Sequence, residues 1–291
     1  MRRALKRCLP ILAALLSGEM LQGQSGCLDF PATLHAGAAF SLPTSGSGKA
    51  ELYIVGPGQV LRRTVNLGEA ASFAAGELQN AGHYVAVLVA ADSTRSAQFD
   101  VLPESEPATL SFLARPSRLP VSQGGGISGV VYVFDRYRNL ILEPLSVSFE
   151  LSGGGAAQKQ VASTRDGVAW VRMNSSPQAG IAQFQASAGR VSERRVVQQF
   201  AGDPCALRMS ARAAGAKIVL ETAPVRDCNG NPVPDGTVVT FTEAYEGRES
   251  TVDVPIKRDI AHTEMPAHSG ALITVASGVV MGNEIRWGGG K

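Results

Sequence analysis

The sequence predicts an all-β chain, with tandem β-sandwich domains that follow a cleaved signal peptide. Three observations carry that expectation. Short runs rich in Val, Ile, Tyr, Phe and Thr alternate apolar with polar residues, and helical periodicity is almost absent. A set of motifs recurs at a near-constant spacing in the last two thirds of the chain. The first 25 residues have the three parts of an export signal.

The leader comes first. Arg2, Arg3, Lys6 and Arg7 make a basic stretch, Leu9–Leu16 a short apolar one, and Gly23 and Ser25 the small residues of a cleavage site before Gly26. An apolar run of eight residues falls far short of the ~20 that cross a bilayer. Residues 1–25 therefore read as a signal peptide, and no later segment is long enough to span a membrane. Export places the mature chain in the periplasm, on the cell surface or outside the cell. The four residues Gln24-Ser25-Gly26-Cys27 resemble a bacterial lipoprotein signal in their two small residues and depart from it at Gln24. That makes Cys27 the candidate for a lipid anchor.

Strand-like runs follow at Glu51–Val55, His83–Ala90, Gly129–Phe134, Leu145–Leu151 and Thr237–Thr242, separated by Gly, Pro, Asn and Asp. Val101–Pro107, with two prolines and two glutamates, reads as a linker, and Phe200–Pro204 as a second seam. The expected domains are 28–102, 108–200 and 205–288, each a sandwich.

The repeat lies in the last two. Asp135-x-x-x-Asn139-x-Ile141 precedes Val147-Ser148-Phe149, and 92 residues later Asp227-x-x-x-Asn231-x-Val233 precedes Val239-Thr240-Phe241. Upstream, Leu110, Ala114 and Arg115 match Leu207, Ala211 and Arg212 at an offset of 97. Downstream, Ala179-Gly180 and Ala186-Ser187 match Ser269-Gly270 and Ala276-Ser277 at an offset of 90. Asp and Asn accept backbone hydrogen bonds at turns, and Asn tolerates positive φ. Val and Phe then point to one face of the following strand and Ser or Thr to the other.

A strand ending in Asp, a turn carrying Asn, an apolar residue and a Val-x-Phe strand together resemble the bacterial immunoglobulin-like group 1 (Big-1) domain, the repeat of invasin- and intimin-type surface proteins. Thr164-Arg165-Asp166-Gly167-Val168-Ala169 is similar to that family's Thr-x-x-Gly-x-Ala element, and the second copy, Lys257-Arg258-Asp259-Ile260-Ala261-His262, departs from it by lacking the glycine. The resemblance covers roughly residues 108–288 and implies immunoglobulin-like sandwiches with a structural or adhesive role. In residues 28–102, Gly82-His83-Tyr84-Val85-Ala86-Val87 resembles the strand start at which immunoglobulin-like domains pin a corner through a tyrosine hydroxyl.

Of the four cysteines, Cys8 is lost with the leader. Cys205 opens one strand and Cys228 follows the next, so an antiparallel hairpin would bring them together as a disulfide in an oxidising compartment. Two isolated cysteines with no histidine between them make a poor zinc site.

A net charge of +2 with scattered Lys and Arg gives no nucleic-acid footprint. No nucleophile or metalloprotease motif occurs, and no catalytic or cofactor-binding residue is assigned. The one histidine cluster, His262, Glu264 and His268, is the metal candidate, because strand alternation would put all three on one face. Its alternative is a solvated strand edge and loop. Asp227, Asn229 and Asn231 imitate the start of a calcium loop, but Pro232 stands where glycine is needed and Val238 where glutamate is needed, which favours a turn. Calcium at Asp135 or Asp227 between domains is a further expectation to test. Gly124–Gly126 and Gly153–Gly155 lack a following helix and read as hairpin loops rather than phosphate cradles. Trp170 and Trp287 read as core or near-core anchors rather than binding platforms. The expectation is a non-catalytic, exported structural or adhesion-type protein that binds a protein partner through loops or strand edges. A carbohydrate- or small-ligand-binding accessory protein is the alternative, which clustered exposed aromatics would favour.

Overall fold

The computed structural model describes residues 30–266 and 268–288, so the leader and Cys27 lie outside the described residues. These residues form strands and turns and no helix, and none of their elements is a helix long and apolar enough to cross a membrane. The described residues form two compact units that divide between Leu102 and Pro103.

The first unit contains β1 (Thr33–His35), β2 (Phe40–Pro43), β3 (Lys49–Gly56), β4 (Gln59–Asn66), β5 (Ala70–Phe73), β6 (Gly82–Val89) and β7 (Thr94–Leu102). A five-stranded sheet in the order β1-β7-β6-β3-β4 accompanies the two-stranded sheet β2-β5. Alternation decides which side is covered: Leu52, Ile54, Tyr84, Ala86 and Phe99 are buried, while their neighbours along each strand are more exposed. Tyr84 is fully buried and donates its hydroxyl hydrogen to Asn80 O at 2.8 Å, the corner expected of the Gly-x-Tyr run. Gly56 must be glycine here, because a Cβ would run into the Tyr84 ring.

The second unit holds two cores. The first belongs to β8 (Thr109–Arg115), β9 (Arg118–Pro120), β10 (Ile127–Phe134), β11 (Ser146–Ser152), β12 (Gln158–Ser163), β13 (Val168–Met173), β14 (Gly180–Ala188) and β15 (Val191–Phe200). Sheets β13-β10-β8 and β12-β11-β14-β15-β9 close around Phe112, Phe149 and Phe184, whose rings pack edge-to-face or tilted. The other core belongs to β16 (Pro204–Ala206), β17 (Met209–Ala214), β18 (Lys217–Thr222), β19 (Arg226–Asp227), β20 (Val238–Tyr245), β21 (Arg248–Pro255), β22 (His262–Pro266), β23 (Leu272–Ser277) and β24 (Val280–Arg286). Here the sheets are β17-β18-β22 and β21-β20-β23-β24, with a short ribbon β16-β19.

The repeated Asp-x-x-x-Asn turn is the same object in both sandwiches. Asp135 Oδ1 accepts from the backbone N–H of Tyr137 (2.9 Å) and Asn139 (2.8 Å), and Oδ2 accepts from Asn139 Nδ2 (2.9 Å) and the Glu104 N–H (3.1 Å). Asp227 Oδ1 accepts from Asn229 and Asn231 (both 2.9 Å), and Oδ2 from Asn231 Nδ2 (2.9 Å) and the Gly202 N–H (3.0 Å). Each buried carboxylate thus ties its own turn to the chain segment that enters its sandwich. Ile141 and Val233 follow into the core, as do Val147, Phe149, Val239 and Phe241.

Three details refine the sequence reading, and the second corrects it. Positive φ falls on the residue before the asparagine, Arg138 (68°) and Gly230 (83°), because the asparagine is held by its own bonds to the aspartate. The downstream offset is 89 rather than 90: Ser148 pairs with Ser187, and its counterpart Thr240 pairs with Ala276. A one-residue slip exchanges the two faces, and only the shorter offset matches buried Ala182, Phe184 and Ala186 with buried Ala271, Ile273 and Val275. The glycine missing from the third sandwich does not change the turn. Arg258 (52°) and Asp259 (72°) take the positive φ angles of Asp166 (49°) and Gly167 (78°), and Asp259 is held by Arg226 at 2.8 Å.

Candidate interaction surface

The Cys205–Cys228 disulfide is present. It joins β16 to the turn that follows β19, closing the β16-β19 ribbon rather than the β17-β18 hairpin. The candidate metal ligands do not share a face. His262 Nδ1 lies 3.3 Å from Glu221 and Glu264 lies 3.3 Å from Lys217, both on the exposed side of β18-β22. His268 follows the end of β22 and turns to Glu243 in the opposite sheet at 3.0 Å. At Asp227 the carboxylate is filled with N–H donors, which turns the lone pairs a calcium ion would need toward the backbone. Burial by itself would raise the Asp227 pKa; the Asn231 side chain and the backbone N–H groups of Asn231, Gly202 and Asn229 outweigh it and hold the value below the usual one.

Asn231 also joins the two sandwiches. Its Oδ1 accepts from the Ala179 N–H and its Nδ2 donates to Pro177 O, each at 2.8 Å.

Trp170 stands against the core-anchor expectation. It is 65% exposed, whereas Trp287 is partly buried against the third core. Along β13, Ala169, Val171 and Met173 are buried, so Val168, Trp170 and Arg172 face out. Register then builds a surface: Val130 lies between Leu113 and Trp170, and Tyr132 between Ser111 and Val168. Leu113 (48%), Tyr132 (36%) and Trp170 are exposed large hydrophobics on the outer face of one three-stranded sheet. In the next row Ser128 pairs with Arg115 on one side and Arg172 on the other, and no ion pair joins either arginine among the described residues. No carboxylate occupies these outward positions.

Side chains cap part of each edge of this sheet. Gln158 Nε2 donates to Asn174 O (2.9 Å) and its Oε1 accepts from Asn174 N–H (3.2 Å), while Gln160 Nε2 donates to Arg172 O (3.0 Å), all along β13. On β8, the Phe112 N–H donates to Glu193 Oε2 at 2.7 Å. In the third sandwich Asn283 does the same for Met209, accepting from its N–H (2.6 Å) and donating to its O (3.1 Å). Side chains that satisfy an edge backbone blunt strand addition, which leaves the face as the accessible apolar surface.

An adhesin of Escherichia coli, FdeC, has a solved structure similar to this one. Its TM-score is 0.58 at 12% identity, and the match covers 88% of this chain and 94% of that one. This chain shares that fold: its units are immunoglobulin-like sandwiches in series, as the Asp-x-x-x-Asn resemblance implies. Invasin, described as a bacterial integrin-binding protein, matches at a TM-score of 0.48 and 13% identity, over 84% of this chain and 57% of its own. At such identities the likeness is one of fold. No protein-family model and no curated protein matches the sequence.

Proposed function

We propose that the mature chain is a non-catalytic, exported adhesion-type protein whose sandwiches (28–102, 108–200 and 205–288) present the outer face of β8-β10-β13 to a protein partner. The single observation that carries this is the exposed row Leu113-Val130-Trp170 with Tyr132 beside it. Apolar residues gathered on a soluble surface mark an interaction site, and tryptophan, tyrosine and arginine are the residues that dominate binding energy at such sites. Arg115 and Arg172 select the partner: an apolar patch with an acidic rim, whose carboxylates they would pair. The non-catalytic reading rests on the chemistry present. His83, His262 and His268 pair with three different carboxylates, Asp100, Glu221 and Glu243 respectively, and none lies in a motif for acyl transfer or metal hydrolysis.

The test offers the purified mature chain, as wild type and as Trp170→Ala, to immobilised proteins and immobilised glycans in parallel, and sediments both variants alone. Retention on protein, weakened about 30-fold or more by Trp170→Ala, is the expected result. Retention on glycans alone would move the function to sugar binding. A dimer that Trp170→Ala dissolves would make the face a contact between copies, and either result overturns the proposal.

A further inference from the structure

The third sandwich buries a carboxylate where the second buries a leucine. Glu243 follows Leu151 by 92 residues, and both sit inward, two residues beyond the equivalent Phe241 and Phe149. Each is 4% exposed. Leu151 belongs to its apolar core, whereas Glu243 turns its carboxylate to the His268 ring. Replacing a buried leucine by a carboxylate gives up apolar transfer energy and adds a desolvation cost. Local departures of this kind, made against stability, mark functional positions.

Around Glu243 lies a cavity of about 390 Å³ whose lining includes Tyr245, Glu246, Arg248, Glu249 and His268. That volume falls in the range of small-ligand sites. It opens at the end of the sandwich away from the second one. Val238, where β20 begins, lies on the side of the Asp227 turn, and the strand runs from there to Tyr245. The floor is polar and the wall aromatic. His268 Nδ1 lies 3.0 Å from Glu243 Oε1, its backbone N–H donates to the same oxygen at 3.4 Å, and its ring stacks on Tyr245 with centroids 4.9 Å apart and planes 13° from parallel. Among the described residues nothing donates to Glu243 Oε2. Read back from β23, the offset of 89 places Pro266 and His268 at the positions of Pro177 and Ala179 in the second sandwich, whose backbone groups hold Asn231 of the third. In the third, the corresponding N–H turns to the Glu243 carboxylate instead.

We propose that this cavity binds the guanidinium of an arginine side chain from a partner protein. Three carboxylates line it against the single guanidinium of Arg248. A buried carboxylate with an open oxygen accepts charge-assisted hydrogen bonds from a planar guanidinium, and the Tyr245–His268 pair offers that plane an aromatic face. The desolvation of Glu243 is already met in the folded chain, so a cation that pairs with it adds electrostatic attraction without that cost. This site is independent of the tryptophan face.

The test titrates N-acetyl-arginine methylamide into the full mature chain and follows the His268 imidazole signals by NMR. N-acetyl-citrulline methylamide is the uncharged control of the same shape. The expected result is a saturable shift with the arginine probe, at least about tenfold weaker with citrulline. Glu243→Leu, which carries the sister sandwich's own residue, loses the binding. Glu243→Gln keeps the volume, removes the charge and decides the matter if the leucine variant fails to fold. No saturable shift, equal affinity for citrulline, or wild-type affinity in Glu243→Gln would each overturn the proposal.

Discussion

The second and third sandwiches share a turn and differ in what holds the rest together. Around the turn the match is nearly atom for atom: four N–H donors converge on Asp135 and four on Asp227, with the same partners in the same order. Away from it the two diverge. Among the described residues the second core gathers seventeen buried hydrophobics and the third thirteen, with three phenylalanines against one. The third adds the Cys205–Cys228 disulfide and ends in a polar cavity instead of a leucine. A small core supplies little net stability, and a cross-link offsets the deficit by restricting the unfolded chain. Strict retention therefore follows the hydrogen-bond geometry at the point where a linker enters. Packing is free to be exchanged for another source of stability.

The most direct way to break the comparison is to exchange the paired residues. Leu151→Glu puts into the second sandwich the carboxylate that the third tolerates, but there the position is part of the apolar core and has no His268 to meet it. A loss of about 4 kcal/mol is expected, read as a large drop in the denaturant midpoint with unchanged slope. A loss below about 1 kcal/mol would mean that the end of the second sandwich is as open as that of the third.

The disulfide gives the next largest effect and separates the two sandwiches. The Cys205→Ala, Cys228→Ala double variant should cost roughly 3 kcal/mol for a closed loop of this length. Hydrogen exchange should place that loss in β16–β24 and leave β8–β15 protected as before. Equal loss in both sandwiches would show that they unfold as one body.

Much of this was legible in the sequence, and the parts that were not have particular reasons. The aspartate, the asparagine and the Val-x-Phe strand are visible because each fills a place that few residues can fill. The disulfide followed from two cysteines flanking neighbouring strands, although the sequence could not separate the ribbon β16-β19 from the hairpin beside it. The downstream offset comes out one residue too long because Ala186-Ser187 and Ala276-Ser277 look alike and carry no bulk to fix a face. Trp170 was misplaced by its type, since a large aromatic suggests a core. The better signal was Arg172 two residues on, because alternation puts both on one side and Ala169, Val171 and Met173 on the other. The same rule shows Glu243 following Val239 and Phe241 onto the core face. Neither case could be completed from sequence, because alternation separates two faces without saying how far the covering sheet extends.

The smallest effect tests whether the shared turn works through charge. Asp227 has a folded pKa held below its ordinary value, since burial pushes it up but the Asn231 side chain and the N–H groups of Asn231, Gly202 and Asn229 together pull it further down. A carboxylate whose folded pKa is depressed binds its proton less readily in the native state than in the unfolded one. Its stabilisation is fully present above the unfolded value of about 3.9 and is lost as pH falls through the lower folded value. The third sandwich should therefore lose stability from about pH 4 downward. Asp227→Ala should be less stable at neutral pH and show a shallower acid slope, because the group that takes up the proton is gone. The measurement is the denaturant midpoint of both proteins across the acid range. Parallel curves would mean that the carboxylate holds the linker by shape alone, and that an uncharged acceptor in its place would serve as well.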